Sequence, residues 1–355
     1  MELGIDRFFS LLSPFIQDRI LTFYNMNLLS KFFIVLLISL TFVSCDEMNE
    51  RVLPSCTGRS GDLLIVADSV TYNYQTGAAI QQVFSQEQVG LPQREALFNL
   101  IQIPHRSFAR IFHTTRNILM VHIEPESKIK LTVREEVWSE TQLVVTITAP
   151  TDKIAAETIE KNAAVLLDYF NNKELARLHA KFRVNANSSH AKYLNEKFGL
   201  SLSLDELYIV AAETEDFIWL RKEKSVGGHP VSQGIIIYTY PYASDSTFDV
   251  ANLVAKRDGF TKANVAGGNK GSYMTSYLEY IPGQQEISLN GVYVNELRGL
   301  WQMKGDFMGG PFINYSLVDE QKNRVVCIDG YVYAPKFDKR EFLREQEALI
   351  KTITF

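Results

Sequence analysis

Catalysis by paired carboxylates needs two acids about 5–10 Å apart. Glu213 and Glu215 meet that spacing if their segment is extended, where alternate side chains share a face about 7 Å apart. Glu135, Glu136 and Asp306 are the other acids placed where they could act, although carboxylates on an exposed strand are usually only solvated. The six histidines (His105, His113, His122, His179, His190 and His229) include no pair at the three- or four-residue spacing that puts two imidazoles on one metal. No His-Glu-x-x-His and no Gly-x-Ser-x-Gly elbow occurs. Gly267–Ser272 has the glycine density of a phosphate loop. It lacks the Gly-Lys-Ser/Thr order and follows a helical pattern rather than a strand, so it reads as a turn. The sequence assigns no catalytic residue, metal or cofactor.

Aromatic side chains are the denser resource. Tyr238, Tyr240, Tyr242, Tyr273, Tyr277 and Tyr280 fall close together, and Tyr273 and Tyr277 share one face of an alternating segment. Such a face stacks on sugars, contacts a protein, or is simply the half-buried strand that tyrosine favours. The segment Glu296–Phe312 holds Trp301, two phenylalanines and two methionines but is broken by four glycines and a proline. A loop this apolar must pack or bind. Trp301, Lys304, Asp306 and Phe312, with Tyr273 and Tyr277, are the candidate binding residues, against the alternative of a buried structural loop.

A third chemistry is acylation of a thiol. Residues 32–43 are an uncharged apolar run, too short to span a bilayer but of the length of a secretory h-region. Lys31 precedes it, and Ser44-Cys45 and then a polar run follow it. This arrangement resembles the bacterial lipobox, in which the bond before Cys is cut and the Cys is acylated on sulfur and nitrogen. Phe42 replaces the usual Leu. Residues 1–25 contain Glu2, Asp6 and Asp18, unlike a short basic n-region, whereas Met26–Ser44 forms a compact signal. We read 1–25 as an over-extended start, 26–44 as a lipoprotein signal peptide, Cys45 as the lipid attachment site and 45–60 as a tether. Two or three acyl chains anchor firmly where one does not. That leaves Cys56 and Cys327, which either form a disulfide in an oxidising compartment or pack separately as small apolar residues.

The body must then be positioned by its elements. Leu63–Ala67, Leu97–Ile103 and Ile118–Ile123 read as strands, and Lys130–Trp138 with Gln142–Ala149 as a hairpin. A long helix starts near Asp152 and continues or restarts at Glu174. A short one over His190–Phe198 is closed by Gly199. Leu207–Ala212, Phe217–Arg221 and Gly234–Tyr240 are strand-like, the last apolar on both faces and therefore central. Phe248–Arg257 reads as a helix capped by Ser246. Ser272–Ile281, Gly291–Glu296, Phe312–Val318 and Arg324–Tyr333 read as strands. The last helix starts at Asp338 with a capping-box Glu341. A clean βαβ alternation is absent. The expected class is α+β, with mixed or largely antiparallel sheets and packed helices, in two similar halves (61–200 and 201–355) that each end in a helix.

The chain has 355 residues, 46% apolar and 22% charged, with 36 basic against 41 acidic side chains and a net charge of −5. These values describe an ordinary globular body without the basic excess of a nucleic-acid binder. Ser60–Asp68, Gln102–Leu119, Gln233–Tyr242, Arg298–Phe312 and Asp329–Arg344 resemble the uncharacterised lipoproteins of Bacteroidota grouped as a domain of unknown function. The resemblance implies a lipid-anchored envelope protein and carries over no catalytic residue. The expectation is a binding or assembly module of the cell envelope, held at the outer membrane through N-terminal acyl chains, with an envelope protein or glycan as partner. The alternative is a glycan- or peptidoglycan-directed hydrolase.

Overall fold

The computed structural model describes residues 52–355, residue 290 excepted. The expected signal, Met26 and Cys45 lie outside the described residues. The first sheet is built from β1 (Asp62–Val66), β2 (Asn99–Ile103), β3 (Asn117–Ile123), β4 (Lys130–Glu135) and β5 (Leu143–Ala149), in the order β2-β1-β3-β5-β4. Only β4 runs antiparallel. The parallel set escapes a search for βαβ alternation because β2 reaches β3 through residues 104–116, which hold only two single turns of 3-10 helix.

Side chains alternate across this sheet. Leu63, Ile65, Leu119, Val121, Val145 and Ile147 face α2 (Gln75–Phe84), α3 (Asp152–Lys161) and α4 (Ala163–Val184), where Phe84, Phe98 and Phe170 meet edge-on. The one-turn α1 (Ser69–Tyr72) precedes α2. Leu64, Val66, Ile118 and Val144 face the opposite way and are covered by Phe108, Phe112 and Trp138. The long helix breaks at Asn162 rather than at Glu174, so α4 is continuous through the expected restart. α5 (Ser188–Phe198) ends at Gly199, whose φ of 73° suits a residue without a Cβ.

The second sheet comprises β6 (Ile209–Thr214), β7 (Phe217–Val226), β8 (His229–Pro241), β9 (Tyr273–Ser276), β10 (Gly283–Leu289), β11 (Val292–Lys304), β12 (Gly309–Asp319) and β13 (Arg324–Tyr333). Its order is β10-β11-β12-β13-β8-β7-β6, with β9 also on β11. All its pairings are antiparallel. The central strand read at Gly234–Tyr240 is β8. Gly227 and Gly228, both at positive φ, turn β7 into it as tight hairpins require. One face packs on α7 (Arg340–Ile350) and α5, the other on α6 (Val250–Asn264). The class is α+β, but the halves are not copies: one sheet is mainly parallel, the other antiparallel.

α7 is capped from the first half of the chain. Glu95 accepts hydrogen bonds from the backbone N–H groups of Lys339 (2.7 Å) and Arg340 (2.8 Å). A carboxylate at a helix N-terminus is favoured by the exposed N–H groups and the dipole. It takes the place of the expected Asp338–Glu341 box.

Candidate functional site

Glu296–Phe312, expected to be an apolar loop, is the β11–β12 hairpin. Its glycines let backbones and rings approach: a Cβ on Gly310 would lie 2.0 Å from the Val332 carbonyl oxygen. Trp301 is a core residue, 2% exposed, donating its indole N–H to Val332 O at 3.2 Å. Phe312 is fully buried beneath the Arg257 guanidinium, 3.8 Å from the ring centre. Lys304 is exposed, Tyr273 lies half-buried under Lys262, and Asp306 accepts from the Phe307 N–H at the hairpin tip. Of the expected set, the structure brings only Tyr277, Trp301 and Asp306 to one place, a shallow depression of about 340 Å³ beside the exposed Phe307. Lys304, Tyr273 and Phe312 do not line it, so the six residues do not form one site.

The cysteine alternative resolves as separate packing. Both are free. Cys56 lies beside Thr141 of the first sheet's hairpin, whereas Cys327 is fully buried in β13 against Ser316. The extended pairing read for Glu213 and Glu215 does not form, because β6 ends at Thr214 and Glu215 falls in the turn to β7. Glu213 on β6 pairs with Tyr193 and Lys197, and Glu135 with Lys173. His105 and His122 stack at 4.3 Å, and no group of three metal-ligating side chains occurs among the described residues.

The better-formed site was not visible in the sequence. A cleft of about 570 Å³ opens between the helices of the first sheet and the β10 edge of the second. Ala164, Leu167, Asp168, Asn171 and Leu175 present one face of α4, at helical spacing. Gln86, Gln88 and Val89 come from the segment after α2, and Gln284 and Gln285 from β10. β11 supplies Glu296 and Arg298, two residues apart and therefore on the same strand face. α7 supplies Arg344 and Glu347, and Lys351 caps its C-terminus. Gly90, at φ +84°, allows the α2 segment to close over β11: a Cβ there would meet the Arg298 Cβ at 3.0 Å.

Arg298 is the hub. Its Nη2 donates to Glu347 Oε2 at 2.8 Å and to Glu296 Oε2 at 3.1 Å. Lys351 Nζ reaches Glu347 Oε1 at 2.7 Å, and Gln285 Nε2 reaches Glu296 Oε1 at 2.7 Å. Burial would raise the Glu347 carboxyl, but the Arg298 and Lys351 charges outweigh it and hold the pKa at about 2. Burial would equally weaken the Arg298 charge, and Glu347 and Glu296 more than restore it, pushing its pKa well up. The network is therefore a fixed, ionised floor. Around it stand amides, each with donor and acceptor ends.

A second buried network stabilises the other face of the sheet. Arg257 and Asp329 are both fully buried and joined at 2.7 Å, with Asn314 and Ser276 supplying further bonds. Its side chains are buried and bonded to one another, so it reads as structural. Among the described residues no helix is long and apolar enough to cross a membrane.

Residues 187–352 match the family model of a domain of unknown function, DUF4837, and residues 56–183 match another, DUF8532. No curated protein matches the chain. Among solved structures, the Ran-binding protein Mog1p of Saccharomyces cerevisiae is 12% identical with a TM-score of 0.28, over 44% of this chain and 91% of that one. A point mutant of protein Mog1 gives 12% and 0.27, over 44% and 89%.

Proposed function

We propose a function for this chain, whose residues 56–183 and 187–352 match two families of unknown function. It is a lipid-anchored module of the cell envelope, acylated at Cys45, that binds a hydroxyl-rich glycan in the cleft floored by Arg298. The observation that carries the cleft is its composition. Gln86, Gln88, Asn171, Asn172 and Gln285 ring a clamped charge network. Amides that donate and accept at once match sugar hydroxyls. The anchor rests on the order of Lys31, the apolar run, Ser44-Cys45 and the polar run after it.

The hydrolase reading is disfavoured at this cleft. A glycosidase needs one carboxyl that still carries a proton near neutral pH. Glu347 is held far below that range, and Glu296 is closed off by Arg298 and Gln285. The anchor is tested by the mass of the fragment beginning at Cys45 in protein made with its signal. A diacylglyceryl thioether with an N-acyl group is expected, and an unmodified Cys45 contradicts it. The cleft is tested by glycan titration of the same protein.

A further inference from the structure

Residues 104–116 cross the sheet face opposite α2, α3 and α4. Phe108 and Phe112 turn inward onto Leu64, Val66, Ile118 and Val144, while Ile111 stands 79% exposed. Arg106 and Arg110 are exposed on the same segment and have no ion-pair partner among the described residues. The segment contains no acid. The start of the body docks against it: the Thr57 N–H donates to Thr114 O at 2.7 Å, and the Arg116 N–H to Thr57 O at 3.0 Å. Val52, just before, is 90% exposed.

We propose that this face seats on the membrane surface, with Arg106 and Arg110 among anionic lipid headgroups and Ile111 entering the interface. The inference rests on the acylation of Cys45 proposed above. Eleven residues lie between Cys45 and Thr57, a reach of at most about 40 Å, so the lipid is tethered to the end of the chain that docks on this face. Two arginines and an isoleucine would bind a free protein weakly. On an anchored chain they need only orient it, because the anchor supplies the local concentration. The cleft lies on the helix side of the same sheet, where α4 lines it, and so stays open to the aqueous side.

The test is hydrogen exchange on the full-length lipoprotein in phosphatidylcholine vesicles with and without phosphatidylglycerol. Exchange across 104–116 is expected to slow several-fold with phosphatidylglycerol, and to lose that slowing in Arg106→Glu/Arg110→Glu, which remains anchored. Equal exchange in both vesicles, protection of α4 and β10 instead, or protection only after envelope proteins are added would overturn it. The mass of the Cys45 fragment from the same sample separates the two ideas. An acylated chain with an unprotected 104–116 removes only the seating surface, whereas an unacylated Cys45 removes the anchor and this inference with it.

Discussion

Arg298 on β11 and Glu347 on α7, 49 residues apart in sequence, meet at 2.8 Å at the floor of the cleft. Each carries most of the other's burden. Their side chains are only 12% and 14% exposed, so removing either partner leaves a charge that water reaches poorly. Arg298→Ala is expected to destabilise the body by about 3–5 kcal/mol, the usual result of orphaning a buried charge. Urea unfolding measures it, and a shift below about 1 kcal/mol would show that the network is solvated.

The same contact makes stability depend on acid. The folded pKa of Glu347, about 2, lies below its ordinary 4.5, so its contribution is complete above pH 4.5 and lost as pH falls toward 2. The urea midpoint of the wild type is expected to drop through that window. Glu347→Gln, which has no carboxylate to protonate, should start lower and drop less. Parallel profiles would contradict the assignment.

Trp301 and Phe307 separate the core reading of the β11–β12 hairpin from the loop reading. Trp301→Ala should cost about 3–5 kcal/mol, as buried aromatics do. Phe307→Ser at the exposed tip should change stability by no more than about 0.5 kcal/mol. Thermal unfolding of the pair checks both.

Cys327 is expected to be inert. Burial pushes its thiol up to about 11, so little thiolate exists at neutral pH and the sulfur is out of reach. Alkylation under native conditions should modify Cys56 and spare Cys327 until the chain is unfolded in urea. A Cys56–Cys327 crosslink on mild oxidation would contradict the separation of the two sites.

Much of this architecture was legible because its signals are local. The unbroken apolar run of β8 and the glycine that ends α5 each announce themselves within ten residues. β10, Gly283–Leu289, was missed because a polar strand at a sheet edge shows neither an apolar run nor clean alternation. The β11–β12 hairpin was misread because its glycines serve close packing rather than a loop, and that is visible only once Val332 and Trp301 are in place. The cleft was illegible for a different reason. Gln86, Asn171, Gln284, Arg298 and Glu347 come from five separate elements or connections, and nothing in their spacing foretells that they converge.

The central claim is that the cleft holds a glycan, and calorimetric titration of the full-length lipoprotein with an N-acetylhexosamine oligosaccharide tests it most directly. Saturable binding to the wild type is expected. In Asn171→Ala/Asn172→Ala, which changes two α4 residues that line the cleft and hold no other part of the fold, binding should weaken at least about tenfold, the loss of roughly 1.4 kcal/mol of hydrogen bonding, with the urea midpoint little changed. No saturable binding, or equal affinity in the variant, would contradict the account.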